Sequence, residues 1–431
     1  MTRSSDAQHL ELCRRVVERL LAAYFRDRAS NRMAEHVLSG DVPPWGNEQI
    51  YSVLVYLEPS ALTPAALLLK CHGPSYLEAH SFLNLKGMLR EFIRRHYKCI
   101  HDEISTSDNR ISSFNEIVSD AGREALVEAL SKSFIFRPSA ILSVSPITPM
   151  TVEADFDASL FYIIARSSIT EGNAQAIVEL LPEKAEVGAW LGIRAPSMEL
   201  AQKWKRIVLG AVALGPIQRE RHSFTLRNVA RGYLLFQSGR QISTTTSLPH
   251  TPPLGSNIVL QAADHPWLSE LVRILRSSQA DDKRKRKALE YYYQSWFLDE
   301  ATRCPFLFMA IDALFGQGSG VTEGKVRSGI EHTLGASLDS ARFKKLWLLR
   351  NQVLHGGAPD PYASSNYREY CRVYKIDPIY DLELVAAKCL RRHIFPESFR
   401  PQPDPFFKII ADAQTKGIIA ANRESAAILE E

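Results

Sequence analysis

The chain is poor in cysteine, and its cysteines form no pattern. Six of them (Cys13, Cys71, Cys99, Cys304, Cys371, Cys389) are scattered over 431 residues with no C-x-x-C pair. That spacing suits neither a zinc cage nor a disulfide framework and predicts a reduced, cytoplasmic chain. Cys71-His72 and Cys99-Ile-His101 come closest to ligand pairs, and read as ordinary core and surface residues. Long hydrophobic runs are missing too. The segment 10–25 is interrupted by Glu11, Arg14, Arg15, Glu18 and Arg19, which argues against a signal peptide. No apolar run approaches the roughly 20 residues that span a bilayer, so no membrane is expected. An excess of one charge is also lacking. The net charge is only +4, so any nucleic-acid contact must come from a local basic face. There is no Gly-rich phosphate loop, no G-x-S-x-G, no H-E-x-x-H, no kinase signature and no internal repeat. No metal and no cofactor is expected.

What remains is an ordinary globular balance, 45% hydrophobic and 23% charged, long enough for two or three domains. Residues 6–38 read as helix, on a stripe of Leu10, Cys13, Val16, Val17, Leu20, Leu21 and Tyr24. Pro43-Pro44-Trp45-Gly46 breaks it. The segment 49–57 is a strand or a helical turn. Residues 75–104 read as helix, with Leu77, Phe82, Leu85, Leu89, Phe92 and Ile93 inward. Its second half carries Arg90, Arg94, Arg95, His96 and Lys98 around Tyr97, either a solvated face or a grip for a nucleic-acid backbone. Ser113 opens a capping box for a helix reaching about Lys132.

The texture then changes. Runs at 134–144 and 156–165, with 224–229, 233–236 and 258–260, are β-branched or aromatic and read as strands. Ser197 caps a helix reaching about Leu214. Residues 243–255 are turn chemistry and read as a surface loop. An α+β region is therefore expected across 105–262.

From 264 the pattern is helical. A short helix covers 265–275. The next opens on Asp281-Asp282 and the basic run Lys283, Arg284, Lys285, Arg286, Lys287, which reads as a solvated helix start or as a contact for RNA phosphates. Its aromatic stripe (Tyr292, Tyr293, Trp296, Phe297) repeats at helical spacing and reads as core. Pro305 restarts the chain as a segment, 306–315, that is apolar on nearly all sides and so is buried on more than one face. A helix over 339–355 follows, then 366–374, then 379–395, then a tail with a short helix at 406–414 and a mobile terminus.

The helix at 339–355 carries the chemistry. Phe343, Leu346, Trp347, Leu349 and Leu354 recur at helical spacing, and Gly356-Gly357 stops the helix. Into this frame are set Arg350, a permanent cation shaped for phosphate, Asn351, and His355, a proton donor or acceptor near neutral pH. Such residues at a helix end can also be a simple hydrogen-bonded cap. The spacing Arg-four-residues-His recurs at Arg327…His332, in what reads as a Gly-rich connector. It recurs one residue wider at Arg90…His96 and Arg95…His101.

Arg-Asn-x-x-x-His-Gly, preceded by Leu-Trp-Leu-Leu, resembles the HEPN families, especially their Apea-like branch, over about 281–397. Lys-Ala-Leu-Glu-Tyr-Tyr-Tyr and the later Ala310-Ile-Asp-Ala-Leu resemble the early helices of that branch, which usually has Glu where this chain has Asp312. The resemblance implies an all-α bundle that homodimerises and joins Arg and His of both protomers into one metal-independent endoribonuclease site. Arg350, Asn351 and His355 are then the catalytic residues, and Asp312 a supporting partner. The implied reaction is attack of an RNA 2′-hydroxyl on the adjacent phosphorus, leaving a 2′,3′-cyclic phosphate. The implied setting is antiphage defence or a toxin system, with the N-terminal region as sensor or brake and a phage trigger or regulatory protein as a further partner. HEPN bundles also serve as non-catalytic dimerisation or RNA-binding scaffolds. A nucleotidyl-transferring partner system would instead use a tyrosine near the motif: Tyr362, Tyr367, Tyr370 or Tyr374. The expected architecture is thus multidomain: a helical segment at 1–104, an α+β region at 105–262, an all-α HEPN-type helical bundle at 264–397 and a tail at 398–431.

Overall fold

The computed structural model describes residues 2–38, 52–107, 111–168, 187–215, 232–238, 241–316, 322–358, 360–399, 407–417 and 428–430. The expected breaker at 43–46 and strand at 224–229 lie outside them. The chain is mixed α/β, with small sheets in its N-terminal half and helices after them. It divides into two compact units, Met1–Ala140 with Pro196–Leu200, and Ile141–Ala195 with Ala201–Glu431. The division near 104 expected from sequence falls inside the first unit, and those near 262 and 397 fall inside the second.

In the first unit, helix α1 (Thr2–Leu21) buries Cys13, Val16, Val17, Leu20 and Leu21. The helix does not run on to 38. Strands β1 (Tyr24–Phe25) and β2 (Met33–Leu38) follow, and both pair antiparallel with β3 (Ser52–Leu57) in the order β1-β3-β2. Tyr24, Val37, Val55 and Leu57 are buried by that pairing. The hydrogen-bond partner of residues 33–38 is β3, far along the chain, and helical periodicity carries no trace of it.

Helices α2 (Thr63–His72), α3 (Phe82–His96) and α4 (Asp120–Lys132), with short helical turns at His101–Thr106 and Phe114–Ile117, complete the helical part of this unit. The single helix expected over 75–104 is interrupted, because the Ser81 hydroxyl caps α3 by accepting the Asn84 N–H at 3.2 Å. Phe82, at the first helical position, is exposed rather than inward. Ser119 caps α4 in the same way, at the Gly122 N–H, and so splits the helix expected from Ser113.

The second unit opens on strands β4 (Ile141–Ile147), β5 (Met150–Val152), β6 (Phe156–Asp157), β7 (Phe161–Ala165) and β8 (Ala189–Ala195). Helix α5 (Met198–Val212) follows, then β9 (Gly232–Ser238), β10 (Gln241–Ser247) and β11 (Ile258–Leu260). Six strands form one antiparallel sheet in the order β10-β9-β4-β8-β7-β6, and β11 pairs parallel with β5. Residues 243–247, expected as loop, are β10. Their serine and threonine run suits an exposed, twisted edge, where β-branched residues are at ease. His250 and Thr251, also expected in a surface loop, are buried.

The helices after the sheet are α6 (His265–Arg276), α7 (Ala280–Ser295), α8 (Glu300–Phe315) and α9 (Glu323–Leu334). Gly210 of α5 lies so close to α7 that a β-carbon there would stand 2.1 Å from the Leu289 carbonyl oxygen. Pro305 does not restart the chain. The Asp299 carboxylate caps α8 at the Thr302 N–H, and the proline sits within the helix, costing one carbonyl its donor. Arg327 and His332 lie on α9, not in a connector.

Strand β12 (Ser337–Leu338) leads into α10 (Ser340–Leu354), followed by α11 (Ser365–Tyr374), α12 (Pro378–Ile394) and α13 (Phe407–Thr415). The chain end is not loose where it is described: β13 (Leu429–Glu430) pairs antiparallel with β12, and Ile428 is fully buried. No described helix is long and apolar enough to cross a membrane.

Candidate functional site

Helix α10 begins where the Asp339 carboxylate accepts the Arg342 N–H at 3.0 Å, and ends at His355, whose N–H still reaches the Asn351 carbonyl. Gly356 at φ +74° then reverses the chain, a conformation that glycine adopts without cost. Phe343, Leu346, Trp347 and Leu349 are buried, as their spacing demands. They turn one face of α10 inward, and Arg342 and Arg350 are carried in with them.

Each buried arginine is met by a carboxylate. The Arg342 guanidinium donates at 2.8 Å to both the Tyr370 hydroxyl and the Asp381 carboxylate, and Tyr370 also donates to Asp381. All three side chains are buried, so this knot ties α10 to α11 and α12. Burial, with the Asp381 charge next, holds the Tyr370 phenol protonated far above its usual range.

Arg350 is only 8% exposed. Its Nε and Nη2 donate to one oxygen of Asp312, at 3.1 and 2.5 Å, and its Nη1 donates to the Asn351 side-chain oxygen at 3.0 Å. The guanidinium lies 4.4 Å from the centre of the Trp347 ring, so the cation is also held over an aromatic face. Asp312, on α8, is desolvated more strongly than Arg350 compensates, and its carboxyl is raised above the ordinary aspartate range. Its other oxygen, Oδ1, is buried with no hydrogen-bond partner among the described residues.

His355 is treated differently. It is exposed, and its ring makes no hydrogen bond to any described residue. Five residues after Arg350 on a helix of about 100° per residue, it points some 140° away around the axis. One chain thus brings Arg350, Asn351 and Asp312 together and leaves His355 at the helix end without a partner among the described residues.

The basic run of α7 is largely engaged within its own neighbourhood. Arg284 and Lys285 pair with Asp281 at 2.9 and 3.0 Å, and Arg286 donates to the Leu275 carbonyl. Lys287 lies 3.7 Å from Glu290 and 4.3 Å from the Tyr291 ring centre. Lys283 and Lys287 are exposed. Spacings of three and four along a helix are the signal from which this self-pairing could be read.

Of the four tyrosines near the motif, Tyr370 is wholly buried and Tyr367 donates its hydroxyl to Asp377 at 2.8 Å. Tyr374 packs against Tyr370, and Tyr362 is 43% exposed. No group of three or more His, Cys, Asp or Glu that could hold a metal ion occurs among the described residues.

The side chains that sequence reasoning passed over are Trp347, read only as core although it also backs the Arg350 guanidinium, and the Arg342–Tyr370–Asp381 knot. A second arginine on the inward face of α10 was the available sign of the knot. Comparison with protein-family models, with curated proteins and with solved structures finds no match for this chain.

Proposed function

We propose that the helices from α7 to α12 form a HEPN-type bundle that cleaves RNA by 2′-hydroxyl transesterification, in bacterial antiphage defence or a toxin system. The observation that carries this reading is the state of the two motif side chains. Arg350 uses three of its five N–H groups on Asp312 and Asn351, so two remain for a phosphate. His355 stands at the same helix end, exposed and with no hydrogen bond from its ring among the described residues.

In the reaction His355 takes the 2′-hydroxyl proton or returns one to the leaving 5′-oxygen, an effect typically worth about 100- to 10,000-fold. Arg350 stabilises charge on the phosphoryl oxygens from a position that Asp312, Asn351 and Trp347 hold in advance. Asn351 bonds Arg350 through its oxygen and keeps its amide donors for the phosphate or for the imidazole one turn on. One chain supplies one imidazole, whereas the reaction needs a base and an acid. A second copy of the chain completes the site in this reading. The first unit, and the sheet of the second, serve as sensor or brake.

A specific observation favours a second reading. The Arg350–Asp312 pair joins two packed helices, and a scaffold without chemistry would use it in the same way. Labelled RNA incubated in EDTA with wild type, Arg350→Ala and His355→Ala separates the two. Cyclic-phosphate products lost in both variants support the nuclease. Cleavage equal in all three, or RNA bound equally and never cut, leaves the scaffold. Expressing residues 263–431 alone tests the brake: greater toxicity than the full chain supports it, and unchanged growth with soluble product removes it.

A further inference from the structure

Transesterification needs the 2′-oxygen, the phosphorus and the leaving oxygen in line. A guanidinium holds the phosphate but leaves the strand free to turn about its backbone, so a productive site also needs a grip on a base. Proteins that hold unpaired RNA supply one by stacking.

The chain beyond His355 is built to present such a surface. After the Gly356 reversal, the Gly357 and Ala358 N–H groups both return to the Gln352 carbonyl, at 2.7 and 3.1 Å. Gln352 also hydrogen-bonds the Ser364 hydroxyl through its side chain. Between these two anchors lies the short 3-10 turn Pro361–Ala363, closed by the Asp360 carboxylate on the Ala363 N–H at 2.9 Å. The turn packs on both α10 and α8, the helices that carry Arg350 and Asp312.

Tyr362 is the centre of that turn. The residue is 43% exposed, and its ring stands edge-on to Tyr367, with centroids 5.0 Å apart and planes at 86°. Tyr367 is itself fixed through its hydroxyl on Asp377. The result is a part-exposed tyrosine whose backbone is tied to the motif helix on both sides.

We propose that Tyr362 stacks on a base of the RNA beside the scissile phosphate. This rests on the ribonuclease reading above. The test uses the full chain and an unstructured labelled oligoribonucleotide. Tyr362→Ala is expected to raise KM about tenfold to a hundredfold, the loss of one base–aromatic stack, with kcat within a few-fold. Tyr362→Phe and Tyr362→Trp are expected to restore KM. A duplex of the same sequence is expected to be cut poorly. In parallel, binding of the same oligoribonucleotide to His355→Ala and to His355→Ala/Tyr362→Ala is read by fluorescence anisotropy, and the second is expected to bind about tenfold to a hundredfold more weakly.

If Tyr362→Ala cuts and binds like wild type while His355→Ala is inactive, the stacking proposal falls and the ribonuclease reading stands. If His355→Ala cuts like wild type, the ribonuclease reading falls, and stacking beside a cleaved bond falls with it. A Tyr362→Ala chain that sediments at a different mass assigns the ring to a protein contact and overturns the proposal. A lowered melting temperature in Tyr362→Phe as well as in Tyr362→Ala makes the ring a packing element and also overturns it.

Discussion

Arg350 places two of its N–H groups on the same oxygen of Asp312, and the other oxygen of that carboxylate is buried without a donor among the described residues. The pair is therefore tight but lopsided. Asp312 is desolvated on one side in order to hold the cation on the other.

Removing either partner leaves the other stranded in a poorly solvated place. Asp312→Ala is expected to destabilise the second unit by about 2–4 kcal/mol in urea unfolding, less than a fully buried pair because both side chains keep some exposure. Arg350→Ala carries a pH signature. Asp312 already sits above its unfolded value, because desolvation outweighs Arg350. Without Arg350 it rises further, so its charged form opposes folding at neutral pH and protonation relieves this as pH falls. The stability gap between wild type and Arg350→Ala is expected to narrow from pH 7.5 to pH 5. A gap that widens would contradict the assignment.

Arg350→Lys keeps the charge and loses the fork. An ammonium cannot meet Asp312, Asn351 and a phosphate at once in the planar geometry that a guanidinium offers. Cleavage by Arg350→Lys is expected to fall about 100-fold or more, close to Arg350→Ala, which single-turnover assays can read.

The Arg342–Asp381–Tyr370 knot is a purely structural counterpart on the same helix. Asp381→Ala is expected to cost about 3–5 kcal/mol, because it leaves a buried guanidinium without its anion. Tyr370→Phe keeps the ion pair and should cost only about 1–2 kcal/mol. Urea midpoints for both variants check the ordering.

Lys205, only 7% exposed on α5, has no carboxylate partner among the described residues: its ammonium nitrogen lies 3.2 Å from the ring of buried His250. Burial, and then the neighbouring Arg206, bring its amine down to about 8 from the usual 10.5. A lysine lowered in the fold binds fewer protons there than in the unfolded chain between those two values, so its penalty is full below pH 8 and disappears as pH rises toward 10.5. Lys205→Met is expected to be more stable than wild type at pH 7 by up to roughly 3 kcal/mol, and no more stable at pH 10.5. Melting temperatures at the two values test the sign.

The parts of the fold written in local periodicity were legible. Helices α5, α6, α10, α11 and α12 lie within a residue or two of where their apolar stripes and caps put them. What local reading missed depends on distant partners. Met33–Leu38 is a strand because Ser52–Leu57 lies beside it, and β10 is a strand because β9 does. Caps inside an apolar run were missed as well: Ser81 and Ser119 each divide what hydrophobic spacing alone joins. At the candidate site, spacing selects Arg350, Asn351 and His355 but says nothing of which carboxylate meets Arg350. That depends on how α8 lies against α10. The pairing of Arg284 and Lys285 with Asp281, and of Lys287 with Glu290, was readable from helix spacing.

The short pairing of Ser337–Leu338 with Leu429–Glu430 has a practical edge. The Asp339 N–H, at the cap of the motif helix, donates to the carbonyl of Ile428 at 3.0 Å, and the Ile428 side chain is sealed in beside it. The last described stretch of chain therefore works as a latch on the first turn of α10, two turns away from Arg350. A protease or a stop codon acting just ahead of Ile428 would open that latch without touching a motif residue. Hydrogen exchange at the Arg342 and Phe343 amides is the place to see it, as faster exchange in the shortened chain.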